Sequence, residues 1–193
     1  LRELSLHILD IAENGITAGA DCIQIEVNEK RAEDLLTIVI EDNGRGMPAD
    51  KFQNPTDPFI TTRKTRRVGL GLSLLAAAAE RCEGNMAIDT KPGRGTRVEA
   101  SFRYSHIDRA PIGDMAATIT TLIMGNAQID FVYTHIIDNN EFVLDTRQLK
   151  ADAQDQSLTD PELIHHLTQS IRNSLKQLAS NRGKSEVKGE NHA

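Results

Sequence analysis

Apolar residues return at Leu4, Ile8, Ile11 and Gly15 along LSLHILDIAENGITA, and this three-four rhythm predicts a helix over residues 4–18. A second stripe on the same helix is polar: Glu3, His7, Asp10, Asn14 and Thr17. The segments 22–27 (CIQIEV) and 35–41 (LLTIVIE) read as strands around the charged turn NEKRAED, and EDNGRGMP then breaks the second strand. Periodicity disappears from Lys51 to Arg67, a long connection for a compact domain that points to a functional lid. Beyond it the pattern predicts a helix from Leu70 to Arg81 capped at Gly84, then strands over 86–89 and 97–102 around the turn KPGRG.

Past Tyr104 the pattern changes. A helix is expected over 114–124, and a hairpin over 129–137 and 141–145 across DNN. Thr159 with Glu162 forms a capping-box pattern before a helix ending near Ala179, and the polar tail 181–193 is expected to be disordered. The chain thus divides into an α+β unit over 1–104, an extension of helix, hairpin and helix over 105–180, and the tail. The run IDFVYTHII needs an apolar surface to bury against, so structural cover is the expected role of the extension; a dimer contact or a partner dock is the alternative.

Composition narrows the class. A chain of 193 residues, 39% hydrophobic and 26% charged, suits one globular domain with additions. No apolar run approaches the roughly 20 residues of a membrane span, and Arg2, Glu3, His7 and Asp10 interrupt the first segment, so the expectation is a cytoplasmic protein without a signal peptide. A net charge of -6 argues against general nucleic-acid affinity, the basic stretch Arg63 to Arg67 aside. Cys22 and Cys82 form neither a metal pair nor a disulfide framework and read as reduced structural thiols.

Three stretches carry candidate chemistry. Asp10 and Asn14, four residues apart, share a helix face, where a carboxylate can orient a water and an amide oxygen can ligate a hard cation; an exposed face is the plain alternative. Asp42 ends a strand and precedes Gly44, Gly46 and the apolar Met47: the carboxylate can accept a hydrogen bond from an exocyclic amine while the glycines let backbone approach a flat ring, although DNG is also a common tight turn. In VGLGLSLLAAAAERCEG, Gly69 and Gly71 can turn successive N–H groups toward an anion at a helix start, or can serve packing alone. Arg63, Lys64 and Arg66 could neutralise phosphate charge or belong to a solvated loop.

Taken in order, DIAEN, EDNGRGMP, DPFITTRK, GLGLSLL and KPGRGT over about residues 1–104 resemble the ATP-binding domain shared by DNA gyrase, a heat-shock chaperone, sensor histidine kinases and mismatch-repair ATPases, the GHKL superfamily. The resemblance implies an α+β fold, a two-layer α/β sandwich of the histidine kinase-like ATPase type, and ATP with Mg2+ as ligands. On the family pattern Asn14 is similar to the magnesium-binding asparagine, and Asp42 with Gly44, Gly46 and Met47 to the adenine-reading box. Phe59, Thr61, Thr62 and Lys64 resemble the lid region of histidine kinases, and Gly69, Leu70, Gly71 and Leu72 the second glycine box at the phosphates. Thr96 resembles the threonine that joins the aspartate and a water around the adenine amine. The glycines would then let a lid close over ATP.

The chain also departs from that pattern. Hydrolytic members place a glutamate four residues before the asparagine, where this chain has Asp10, one methylene shorter, so Asp10 as general base implies slow hydrolysis. The histidine-bearing dimerisation hairpin of sensor kinases is not expected before a motif that starts near the first residue; His7 reads as a core or phosphate-side residue, and His165 and His166 as solvated-face residues. Three functions follow: a stand-alone regulatory kinase acting on a partner protein, a slow ATPase switch, or a non-catalytic nucleotide-binding interaction module.

Overall fold

The computed structural model describes residues 3–46, 70–152 and 158–180. Helix α1 (Leu4–Thr17) leads into strand β1 (Cys22–Lys30), a 3-10 turn (Arg31–Glu33) and strand β2 (Leu35–Asp42). Helix α2 (Leu70–Arg81), strands β3 (Met86–Lys91) and β4 (Gly95–Arg103), helix α3 (Met115–Gly125), strands β5 (Asp130–Ile137) and β6 (Asn140–Asp145), helix α4 (Thr146–Asp152) and helix α5 (Pro161–Ser180) follow. The six strands form one sheet in the order β3-β4-β2-β1-β5-β6, antiparallel except for the parallel pair β1 and β5. The architecture is α+β, as the pattern predicts, and the hairpin β5–β6 of the extension lengthens the sheet that residues before 104 begin.

Alternation within the strands sends one set of side chains to the helix-covered face. Ile23, Ile25 and Val27 of β1, Leu36, Ile38 and Ile40 of β2, and Val98, Ala100 and Phe102 of β4 are buried there against Leu4, Ile8 and Ile11 of α1 and Leu75 and Ala79 of α2. Helix α3 packs on α1, and α5 packs on α3 and the β5–β6 hairpin, with Phe131 and Tyr133 closing the core below them.

Ends of elements depart from the sequence expectation for identifiable reasons. Glu3 makes no side-chain cap on α1; instead Leu4 and Ser5 donate their backbone N–H groups to the carbonyls of Pro111 and Ile112 at 3.0 and 2.7 Å. A segment remote in sequence thus satisfies helix-start donors that no local residue reaches. At the end of α2 the left-handed residue is Glu83 (φ 56), not Gly84. Gly84 donates to Ala79 O at 2.9 Å, closing a Schellman turn, and lies where any Cβ would strike the carbonyl of Ser101. The cap of α5 is Asp160, one residue beyond the expected Thr159: its Oδ1 accepts from the N–H groups of Glu162 and Leu163 at 2.8 and 3.2 Å, with Pro161 as first helical residue. Helix α4 carries no signal in the sequence pattern.

A buried polar chain joins the extension to the first strands. Tyr133 Oη lies 2.6 Å from His135 Nδ1, and His135 Nε2 lies 2.9 Å from Glu29 Oε1, while Arg31 donates to Glu29 Oε2 at 3.0 and 3.3 Å. Burial pushes the Glu29 carboxyl up, but the hydrogen bonds from His135 and Arg31 outweigh it and hold the group at about 2. Because the ionised Glu29 only accepts, His135 donates its Nε2–H to it, and its Nδ1 shares a hydrogen bond with the Tyr133 hydroxyl.

Candidate functional site

Where β2 ends, the helix-covered face turns from apolar to polar within one pleat. Ile40 pairs with Val98 and Val98 with Ile88; the next row on that face is Asp42, Thr96 and Thr90. All three polar residues are half-buried. Helix α1 comes down on this row at Gly15, where a Cβ would sit 2.8 Å from Asp42 Cβ. A glycine inside a helix costs about 1 kcal/mol against alanine, and here it lets the helix backbone rest on a carboxylate.

The DNGRG turn wraps the same carboxylate. Gly44 donates its N–H to Asp42 Oδ1 at 2.9 Å, and the Thr96 N–H also points at this group. Burial raises the Asp42 carboxyl above its ordinary range, and those two N–H groups reverse only part of the rise. Asn43 faces away from Asp42: its Oδ1 accepts from the N–H groups of Asp21 and Cys22 at 3.0 Å each, so it shapes the turn. Gly46 (φ 65) would collide through any Cβ with Lys91 O, and Gly95 (φ 86) with Asp42 O. At both positions the left-handed backbone and the close approach require glycine.

The middle of α1 meets the start of α2. A Cβ on Gly71, the second residue of α2, would stand 2.6 Å from Asp10 Oδ2. The glycine therefore admits the Asp10 carboxylate, a tighter constraint than a hinge alone. Asp10 and Gly15 are separated by about 7.5 Å of helix rise, and Asn14, exposed like Asp10, lies between the two contacts. Leu72 is half-buried against the core. His7 is buried, its Nδ1 without a partner among the described residues, and burial pushes its pKa down.

The structure thus brings Gly71 to Asp10 and gathers Asp42, Gly44 and Thr96 where β2 ends beside Gly15, with Gly46 set against Lys91 and Gly95 and Asn14 exposed on α1. Met47, Phe59, Thr61, Thr62, Lys64, Gly69 and the basic stretch 63–67 lie outside the described residues, as does the tail; of Leu70 only the backbone is described. Sequence reasoning did not single out Gly15, Thr90 or Gly95 for the site. A mid-helix glycine was the available signal for the first; the other two depend on strand register.

The family model for histidine kinase-, DNA gyrase B- and HSP90-like ATPases matches residues 1–106, more than half of the chain. The chain belongs to this ATPase family. Within it, the chain is 32% identical over 89 residues to the alginate biosynthesis sensor protein KinB of Pseudomonas aeruginosa, covering 46% of this chain and 15% of that protein. It is 31% identical over 79 residues to the sensor kinase CckA of Brucella abortus, covering 40% of this chain and 8% of that one. The matched stretches are a small part of those sensor kinases. Among solved structures, the N-terminal domain of a DNA repair protein superposes with a TM-score of 0.55 at 17% identity, covering 75% of this chain and 53% of its own, a likeness of fold. Membership of the histidine kinase-like ATPases brings ATP binding with it, and among the described residues no helix is long and apolar enough to cross a membrane.

Proposed function

We propose that this ATPase-family domain binds Mg2+–ATP along α1 and acts on a partner protein as a regulatory kinase of the histidine-kinase type. The observation that supports the reading is that α1 makes two close approaches about 7.5 Å of helix rise apart, Gly15 onto Asp42, which pairs with Thr96, and Asp10 onto Gly71 at the start of α2. Asp42 accepts from the adenine amine, and the start of α2 meets the phosphates with its N–H groups and dipole. Phe59, Thr61, Thr62, Lys64 and Gly69 are assigned to the phosphate side on the family pattern.

The donor set fits magnesium. Among the described residues no three His, Cys, Asp or Glu side chains converge, so the ion would rest on the Asn14 amide together with phosphate oxygens and water, its ordinary arrangement beside nucleotides. When bound it would neutralise phosphate charge. The chain's own contribution is to hold the base, align the phosphates against α2 and limit water, which is most of what phosphoryl transfer asks of a protein.

The acceptor is assigned to a partner because His7, the histidine on α1 itself, is enclosed. His7 and His135 are 3% and 5% exposed, and the exposed His165 and His166 lie on α5, at the β5–β6 side of the sheet, across from Thr90 and Thr96. A cytoplasmic setting is part of this reading. One observation favours a second function, slow hydrolysis: the Asp10 carboxylate already stands at Gly71, where it could orient a water. Incubation with γ-labelled ATP, alone and with native extract, separates the functions. A labelled partner band supports the kinase and free phosphate the hydrolase; ATP binding with neither product refutes both and leaves a nucleotide-dependent interaction module.

A further inference from the structure

Both close approaches at the site are made by α1, and both are tight. A Cβ added at Gly15 would stand 2.8 Å from Asp42 Cβ, and one added at Gly71 2.6 Å from Asp10 Oδ2, so a slide of the helix by one residue, about 1.5 Å, breaks either contact. The axial setting of α1 therefore matters. Its first N–H groups, on the buried Leu4 and Ser5, end on the carbonyls of Pro111 and Ile112 at 3.0 and 2.7 Å. Those carbonyls belong to the strap that runs from β4 to α3, and Pro111 to Asp114 lie beyond the residues that the family model matches. The strap is braced on both sides. Toward β4, Arg109 lies over the Tyr104 ring, 4.7 Å from its centroid, and donates to the Ala110 carbonyl at 3.1 Å. Toward α3, Asp114 caps the helix by accepting from the Ala117 N–H at 3.0 Å, and it also accepts from Arg172 of α5 at 2.6 Å. Between them Gly113 has a φ of 90, and a side chain there would run into those of Glu3 and Ser5. Glycine lets the strap lie this close to the start of α1.

We propose that Pro111, Ile112 and Gly113 are positioning residues for the nucleotide: they hold α1 at the setting in which Asp10 meets Gly71 and Gly15 meets Asp42, so that release of the strap weakens ATP binding. The inference rests on the nucleotide reading above and gives residues of the extension a part in it. Hydrogen bonds fix a helix end more sharply than apolar packing does, because a displaced end leaves buried donors unpaired. Helix α3 packs on α1, and Arg172 ties α5 to the residue that follows Gly113, so the extension shares in the setting. Linkage makes the relation reciprocal. If an open strap lowers ATP affinity about tenfold, saturating ATP makes opening of the strap about tenfold rarer.

The strap acts through α1, so the test needs a readout that stability alone does not move. Hydrogen exchange on the native full chain, read amide by amide with and without saturating Mg2+–ATP, supplies it. The start of α5 is the comparison, since Glu162 and Leu163 there donate to a local cap, Asp160, at 2.8 and 3.2 Å. The expected result is that ATP slows exchange at Leu4 and Ser5 about tenfold and leaves Glu162 and Leu163 as they were. Calorimetry should agree: Gly113→Ala binds ATP about tenfold more weakly than native, whereas Ile129→Val, which trims the core beyond the far end of α3, stays within about twofold. If ATP leaves Leu4 and Ser5 unchanged, or slows both helix starts alike, the strap is structural cover and the proposal is overturned; a folded Gly113→Ala protein with native affinity overturns it as well. Should Gly113→Ala fail to fold, the exchange measurement on the native chain decides alone. A native protein that binds no ATP brings down the nucleotide reading itself, whereas one that binds ATP without protecting Leu4 and Ser5 brings down only this inference.

Discussion

Replacing Asp42 by asparagine is expected to separate ligand affinity from fold stability. The carboxylate is half-buried, accepts the Gly44 N–H at 2.9 Å, and is held above its ordinary pKa range because burial penalises its charge. Asparagine can keep the oxygen on Gly44, but it then turns an NH2 group toward the adenine amine. A charge-assisted bond worth about 1.5–3 kcal/mol is lost and two donors face each other. Since the terms overlap, the net loss is about 3 kcal/mol, or roughly a hundredfold weaker ATP binding. Folding loses no charge-assisted ion pair and sheds a charge that burial disfavours, so stability should change by no more than about 1 kcal/mol. Titration calorimetry with magnesium and urea denaturation read the two quantities. In the native protein ATP affinity should also decline as pH falls through the raised Asp42 pKa, because the protonated acid no longer accepts from the amine; that decline should vanish in Asp42→Asn. A folded Asp42→Asn protein that binds ATP within threefold of native would refute the assignment of Asp42 to the base.

Three further outcomes test the surrounding framework. Glu29, lowered from 4.5 to about 2 in the fold, contributes about 3 kcal/mol that is present above the unfolded carboxyl pKa and lost as pH falls from about 4.5 toward 2; in urea melts across that window the native and Glu29→Gln proteins should converge, and parallel curves would count against the buried chain. Gly95→Ala, which drives a Cβ into Asp42 O, should cost more than about 3 kcal/mol, whereas Gly93→Ala, at φ 75 with open space around it, should cost about 1 kcal/mol; equal losses in thermal melts would contradict the described approach of β4 to Asp42. Asp10→Ala should lower any phosphate release at least about tenfold while ATP binding stays within about threefold, and unchanged release would remove Asp10 as base.

Much of the fold was legible locally. The stripe Leu4, Ile8, Ile11 announced α1, Leu70 to Arg81 was bounded as found, and the alternation in LLTIVIE and IDFVYTHII marked strands, because burial on one face repeats with the period of the backbone. Asp10 and Asn14 could be placed on one face from a spacing of four residues. The sequence by itself thus determined which segments are helix or strand and which residue types had the chemistry for a nucleotide. Only the tertiary structure decided that β5 pairs in parallel with β1, that residues 111 and 112 close the start of α1, that Gly15 and Gly71 are the points where carboxylates meet backbone, and that Asp42, Thr96 and Thr90 form one row. Periodicity is written among neighbours along the chain, whereas register and approach distance come from contacts between residues tens of positions apart, whose combined energies no local pattern records.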